Sequence, residues 1–106
     1  MSGENNRMLL ELDKVIRETN RAIINPVLPE LAVDELRPMM NMVARARAEY
    51  LRELLDMAGS EGAELPSPGQ IQQLAELRRT FEELLAGAQA METAIQRGYL
   101  DVCRRA

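Results

Sequence analysis

Apolar residues recur at intervals of three and four along most of the chain, which is the spacing of one face of an α-helix. The first such segment spans residues 4–24, and charged residues occupy the positions between the apolar ones. In a helical bundle this apolar face packs into the core. Its members are Met8, Leu9, Leu12, Val15, Ile16, Thr19, Ala22 and Ile23.

Prolines interrupt the pattern in the stretch NPVLPELAVDELRP, residues 25–38. Because the residue before a proline is disfavoured in helical geometry, the first helix is predicted to end near Asn25, with a connection over 25–34. Leu28 and Leu31 are expected to fold back over the end of the bundle. The alternative is that this loop displays Leu28 and Leu31 to a partner protein.

A second helix is predicted over residues 35–58, with Asp34 as its N-cap or with a slightly later start, because Pro38 is best tolerated in a first turn. Met42 faces away from the predicted buried face of this second helix, which makes it a candidate partner-binding residue. Glycines and a proline indicate a loop over 59–67. The predicted buried positions of the second helix are Leu36, Met39, Met40, Val43, Ala46, Tyr50, Leu51, Leu54 and Met57.

The third helix, over residues 68–104, has the clearest start signal. Ser67, Pro68 and Gln70 form a capping-box pattern, with proline at the first helical position where its missing N–H costs nothing. From there a heptad seam runs without interruption and indicates packing against another helix. The seam residues are Leu74, Leu77, Phe81, Leu84, Ala88, Met91, Ile95, Gly98 and Val102.

These elements predict an all-α fold: a single domain over 1–106, folded as an antiparallel three-helix bundle with a long C-terminal helix. The third helix would be about 55 Å long and the other two only about 32–36 Å. The unmatched part of the seam predicts a homodimer. Its interface would consist of Ala88, Met91, Ile95, Gly98 and Val102. The competing possibility is a helix that breaks at Gly87 or Gly98, with the tail folded back on a monomer.

Composition narrows the range of partners. Hydrophobic residues make up 46% of the chain but aromatics only 3%, which suits helices better than sheets. The net charge of −4 argues against general affinity for phosphate backbones, so nucleic acid is not an expected partner. No apolar run approaches the roughly 20 residues that span a bilayer. We therefore expect no membrane insertion and a cytoplasmic protein. Lys14 is the one lysine among thirteen basic residues, and this bias towards arginine favours a bacterial source.

Catalytic chemistry has little support in the sequence. The absence of histidine removes the usual general base and the histidine-dependent triads. Phosphate-binding glycine motifs are also missing. We therefore expect no catalytic residues, no cofactor and no metal. An enzyme is the third interpretation, with a carboxylate pair or Cys103, which adjoins Arg104 and Arg105, as its chemistry.

The preferred hypothesis is a non-enzymatic helical protein–protein interaction module that acts as an adaptor, chaperone-like binder or assembly subunit. The alternative is a small regulator that binds nucleic acid or an anionic ligand through the arginines of the second helix. Pairing of Arg45 with Glu49 and of Arg52 with Asp56 competes with that alternative. The candidate partner-binding residues are Leu28, Leu31, Met42, Arg45 and Arg52.

Overall fold

The computed structural model describes residues 2–28, 30–61 and 64–104, except for the side chains of residues 60 and 61. Helix accounts for 84% of this described chain, in three segments, which confirms the all-α class. The segments are α1 (Ser2–Val27), α2 (Val33–Glu61) and α3 (Pro68–Gln96). The antiparallel arrangement and the self-association stay predictions.

The first helix continues past the proline that was expected to stop it. α1 includes Pro26, and beyond it the Leu28 N–H donates to the Ile24 carbonyl at 2.9 Å. The predicted end near Asn25 is therefore wrong by a few residues. Proline removes one backbone donor, but in the last turn of a helix this loss interrupts no following turns.

The second helix starts slightly earlier than predicted, and it ends at Glu61 rather than at residue 58, so part of the predicted loop over 59–67 is helical. α2 begins at Val33, so Asp34 lies inside the first turn rather than at the N-cap. The Glu35 carboxylate accepts a hydrogen bond from the Ala32 N–H at 2.9 Å, which is the returning arm of a capping box. The two acidic residues of this first turn, Asp34 and Glu35, also interact favourably with the positive end of the helix dipole.

The third helix begins where the capping pattern predicts. The Ser67 N–H donates to Gln70 Oε1 at 2.8 Å, and the Gln70 N–H donates to Ser67 Oγ at 3.2 Å. Both arms of the predicted capping box are thus confirmed. Pro68 follows as the first residue of α3.

The predicted end of the third helix at residue 104 is wrong, because α3 ends at Gln96. Gly98 adopts a φ of 75°, the Gly98 N–H donates to the Ile95 carbonyl at 3.1 Å, and the Tyr99 N–H donates to the Ala94 carbonyl at 2.8 Å. These two bonds form a Schellman motif, which terminates a helix through a left-handed glycine. The competing prediction of a break at Gly98 matches this geometry.

Beyond the Schellman turn, the chain forms a short parallel strand pair that the sequence did not predict. Strand β1 (Leu31–Ala32) lies beside β2 (Val102–Cys103), with Leu31 opposite Val102 and Ala32 opposite Cys103. The Leu31 N–H also donates to the Asp101 carbonyl at 3.1 Å. The pair joins the segment that precedes α2 to the segment that follows α3.

The chain divides into two units. The first comprises Met1–Leu36 with Met91–Ala106, and the second Arg37–Ala90. In the first unit, the buried side chains of the described residues are Ala32 and Leu100, on the strand pair and the turn before it. The prediction of one domain over 1–106 stays a prediction.

The second unit has its own small core. Val43, Ala46 and Met57 are buried, as predicted for the second helix, whereas Met40, Leu51 and Leu54 of the same predicted face are exposed. The Tyr50 and Phe81 rings stack with centroids 6.1 Å apart. The Arg47 guanidinium carbon lies 4.9 Å from the Phe81 ring centroid. The α3 seam positions from Leu74 to Ile95 are half-buried.

Candidate interaction surface

The most exposed apolar surface on one element lies along α1. Eight large apolar side chains on this helix each expose between 41% and 72% of their surface, and no residue of α1 is buried. At about 100° per residue all of them except Leu10 fall within about 120° of the helix circumference, over a length of about 28 Å. We call Met8, Leu9, Leu12, Val15, Ile16, Ile23 and Val27 the apolar stripe. The described chain leaves this face exposed, and its burial in a bundle stays a prediction.

The opposite side of α1 carries a bidentate ion pair to the segment after α3. Arg21 donates from Nη1 to Asp101 Oδ1 at 3.1 Å and from Nη2 to Asp101 Oδ2 at 2.9 Å. The Arg21 Nη1 also donates to the Gly98 carbonyl at 2.8 Å. Because a fork of this kind fixes distance and orientation together, it positions the Schellman turn against α1.

A second arginine, Arg97, contacts α1 at Asp13, which lies closer to the N-terminus of the helix than Arg21 does. Arg97 Nη2 donates to Asp13 Oδ1, and Arg97 Nε donates to the Tyr99 hydroxyl oxygen at 2.8 Å. The other oxygen of Asp13 accepts from Arg17 at 2.7 Å, as the i,i+4 spacing predicts. We call Asp13, Arg21, Arg97, Tyr99 and Asp101 the arginine clamp.

The electrostatics of the arginine clamp keep both of its carboxylates ionised. The hydrogen bond from Arg97 lowers the pKa of Asp13, and the charges of Arg97 and Arg17 lower it further. The hydrogen bond and charge of Arg21 likewise lower the pKa of Asp101. A general acid near neutral pH needs a raised carboxyl pKa, so these groups are suited to structural pairing.

One edge of the apolar stripe is acidic. Glu4, Glu11 and Glu18 recur every seven residues along it, and all three are exposed. Glu18 pairs with Lys14 at 3.9 Å, whereas Glu4 and Glu11 form no ion pair within the described chain. We call these three glutamates the acidic rim. The other edge carries Asp13 and Asn20, and the cations at this edge, Arg17 and Arg97, are paired with Asp13.

The residues predicted to bind a partner fall in different units. Leu28 and Leu31 belong to the first unit, where both are half-buried and Leu31 pairs with β2. Met42, Arg45 and Arg52 lie exposed on α2 in the second unit. Arg52 pairs with Asp56 at 3.8 Å, as predicted, and the predicted pair of Arg45 with Glu49 is absent from the described part of the chain.

The five predicted self-association residues do not share one helical face. Ala88, Met91 and Ile95 are half-buried on α3, Gly98 lies in the Schellman turn and Val102 lies in β2. The prediction of a seam that continues through Gly98 and Val102 is therefore wrong, because the helix ends before them.

The other features of the described chain give less support for a binding or catalytic site. No group of metal-ligating side chains occurs among the described residues. Cys103 is half-buried in β2. An apolar depression of ≈ 230 Å³ in the second unit, bordered by Leu54, Met57, Ile71 and Leu74, is smaller than the ~300–1,000 Å³ typical of ligand sites. Across residues 2–28, 30–61 and 64–104, no helix meets the length and apolarity that a membrane span requires.

Sequence reasoning missed the arginine clamp, because its contacts join residues that are 80 and 84 positions apart. Charge pairs on one helix can be found by their i,i+4 spacing, and no comparable rule predicts a pair across the whole chain. One local signal was available: a glycine directly after a helical pattern is the usual residue of a Schellman turn, and Gly98 follows Arg97.

Comparison of this chain with family models, curated proteins and solved structures yields no match.

Proposed function

We propose that this protein is a non-enzymatic helical protein–protein interaction module that docks partners on the apolar stripe of α1. The observation that carries the proposal is the exposure of all seven stripe residues on one helix face. Exposed apolar patches of more than a few hundred Å² on monomers are typical of interaction sites. The role is that of an adaptor, a chaperone-like binder or an assembly subunit.

The area of the apolar stripe supports a transient interface. Burying one fully exposed Val, Leu, Ile or Met contributes about 1.5–3 kcal/mol at about 25 cal/mol per Å², which corresponds to about 60–120 Å² per residue. The seven residues expose 41–72% of their surface, so together they offer about 250–500 Å², and an equal contribution from a partner brings the total to about 500–1,000 Å². This range lies below the roughly 1,200–2,000 Å² of stable protein interfaces and within the range of transient ones.

Site-specific photocrosslinking in the native host tests the proposal. A photoreactive residue at position 12 or 16, on the stripe, is expected to give discrete protein adducts. Position 10 is the matched control, because Leu10 is also an exposed leucine of α1 but lies on the opposite side of the helix. Adduct formation at position 10 equal to that at positions 12 and 16 would reject the stripe as the docking surface.

The alternative regulator hypothesis has less support from the contacts of its arginines. Of Arg45, Arg47 and Arg52, two have partners within the described chain, because Arg52 pairs with Asp56 and Arg47 lies over the Phe81 ring. The predicted homodimer stays a prediction. Among its five proposed residues, Ala88, Met91 and Ile95 remain on one helix and would have to supply the contact.

A further inference from the structure

We infer that the apolar stripe takes an amphipathic helix of another protein whose apolar face is flanked by lysine or arginine. This inference rests on the proposed function, since it names the partner of the same surface. Its support is the acidic rim, which runs parallel to the stripe at the spacing of a heptad repeat.

The acidic rim occupies the positions that meet the flank of a docked helix. With Met8 and Val15 at d positions and Leu12 at an a position, Glu4, Glu11 and Glu18 all fall at g. Residues at e and g form the charged contacts that set partner choice in paired helices. Cations opposite these glutamates complement them, and anions there oppose docking.

A second copy of the chain is a poor match for this rim. If two copies of α1 pair in antiparallel orientation about Glu11, Glu11 of one copy lies opposite Glu11 of the other. In the same pairing Glu4 of one copy lies opposite Glu18 of the other. A shift of one heptad still places Glu11 opposite Glu18. In parallel pairing the rim faces the e positions, which are Leu9, Ile16 and Ile23. Neither orientation supplies a cation to the rim.

A lipid surface is also a poor match. Helices that lie in membrane interfaces carry lysine and arginine beside their apolar face, and anionic headgroups attract those cations. The stripe of α1 is bordered instead by Glu4, Glu11 and Glu18, which anionic lipids repel. The charge pattern therefore favours a basic protein helix as the occupant.

Two synthetic helical peptides of about 21 residues, or three heptads, test the inference. Both carry leucine at a and d, while one has lysine and the other glutamate at e and g. Binding to the full chain is measured by fluorescence anisotropy. The lysine peptide is expected to bind about tenfold or more tightly than the glutamate peptide at low salt, and added salt should reduce the difference.

Variants of the chain separate the apolar contribution from the charged one. Leu12→Gln with Ile16→Gln should abolish binding of both peptides, and Leu10→Gln should leave binding unchanged. Replacing Glu4, Glu11 and Glu18 together with Gln should bring the two affinities to within about twofold, and replacing them with Lys should reverse the preference. Far-UV circular dichroism verifies that each variant keeps its helicity.

The outcomes distinguish failure of the inference from failure of the proposed function. If both peptides bind equally and Leu12→Gln with Ile16→Gln abolishes both, the stripe docks helices but the charge preference is rejected. If neither peptide binds, both proposals are rejected. If sedimentation equilibrium shows a dimer that Leu12→Gln converts to monomer, the occupant is a second copy and the inference is overturned.

Discussion

The two sides of α1 differ in a way that reverses the usual arrangement of an amphipathic helix. Its polar side makes the contacts with the rest of the first unit, through Arg21 with Asp101 and Arg97 with Asp13. Its apolar side remains exposed. A hydrophobic pattern therefore identifies an apolar face but does not say whether the same chain covers it. Where charged contacts hold the helix, that face stays available to another molecule.

The energetics of the two sides also differ. Ion pairs between half-exposed side chains contribute little to stability, because water and side-chain entropy offset most of the attraction. The buried side chains near the strand pair, Ala32 and Leu100, are therefore expected to contribute more than the clamp does. We therefore expect the arginine clamp to orient α1 and the burial of Leu100 to contribute more to the free energy of unfolding.

The largest expected effect comes from a change at Leu100, which is only 2% exposed. Leu100→Ala removes a buried side chain and leaves a cavity, so it should lower the free energy of unfolding by about 2–5 kcal/mol. Leu12→Gln, on the exposed stripe, exchanges two good helix formers and should change it by less than about 0.5 kcal/mol. Urea denaturation followed by circular dichroism measures both.

A large loss of stability in Leu12→Gln would contradict the contrast between the buried Leu100 and the exposed apolar stripe. It would mean that other parts of the isolated chain cover the stripe. Leu10→Gln is the matched control, since Leu10 is an exposed leucine on the other side of α1. If Leu10→Gln and Leu12→Gln change the free energy of unfolding equally and only slightly, both positions are exposed to solvent in the isolated chain.

Local signals in the sequence predicted much of the helical framework. The capping box at Ser67 fixed the start of α3, and the three-and-four spacing located all three helices. These signals work because they depend on residues within one or two turns. The end of α3 was missed because the apolar seam continues through Val102 in the sequence, although the Schellman motif at Gly98 has already ended the helix.

The candidate surface was harder to predict. The apolar face of α1 was recognised, but its exposure depends on which other segments cover it. The contacts on the other side of α1 involve Arg21 and Arg97, whose partners lie 80 and 84 residues away. Leu31 stays a candidate for partner binding, and its pairing with Val102 in the strand pair was not predicted. Two-residue strands have no periodicity long enough to be read from a sequence.

The second-largest effect is expected at Gly98, in the Schellman turn, whose carbonyl accepts a hydrogen bond from Arg21 of α1. Gly98 has a φ of 75°, which side-chain-bearing residues rarely adopt, and no atom beyond its adjacent residues lies within 4 Å of an added Cβ. Gly98→Ala should therefore lower the free energy of unfolding by about 1–2 kcal/mol through backbone strain alone. Gly87→Ala is the matched control, because Gly87 lies inside α3, where alanine is favoured by about 1 kcal/mol. A neutral Gly98→Ala would indicate that the helix does not end in this turn.

A smaller effect is expected for the bidentate pair itself. Arg21→Gln removes three hydrogen bonds that join α1 to residues 98 and 101, so it should lower the thermal midpoint measurably. Arg52→Gln is the control, since it removes only a local pair with Asp56 at 3.8 Å and should leave the midpoint within experimental error. Equal midpoints for the two variants would mean that the clamp is no stronger than a surface pair.

The smallest expected effect is a loss of stability in acid that depends on the arginine clamp. The pKa values of Asp13 and Asp101 are lowered in the folded chain from their ordinary 3.8. A lowered folded pKa means that the unfolded chain binds protons first as the pH falls. The contribution of these carboxylates is therefore complete above pH 3.8 and is lost as the pH falls below it.

The variant Asp13→Asn with Asp101→Asn isolates this contribution. Urea midpoints measured from pH 6 to pH 2.5 should fall less steeply below pH 3.8 in the variant than in the unmodified chain, because the variant has no carboxylates left to protonate at the clamp. Identical slopes would show that Arg97 and Arg21 do not hold these carboxylates in solution. In that case α1 would be free to turn its apolar stripe inward, and the contrast between its two faces would not describe the protein in water.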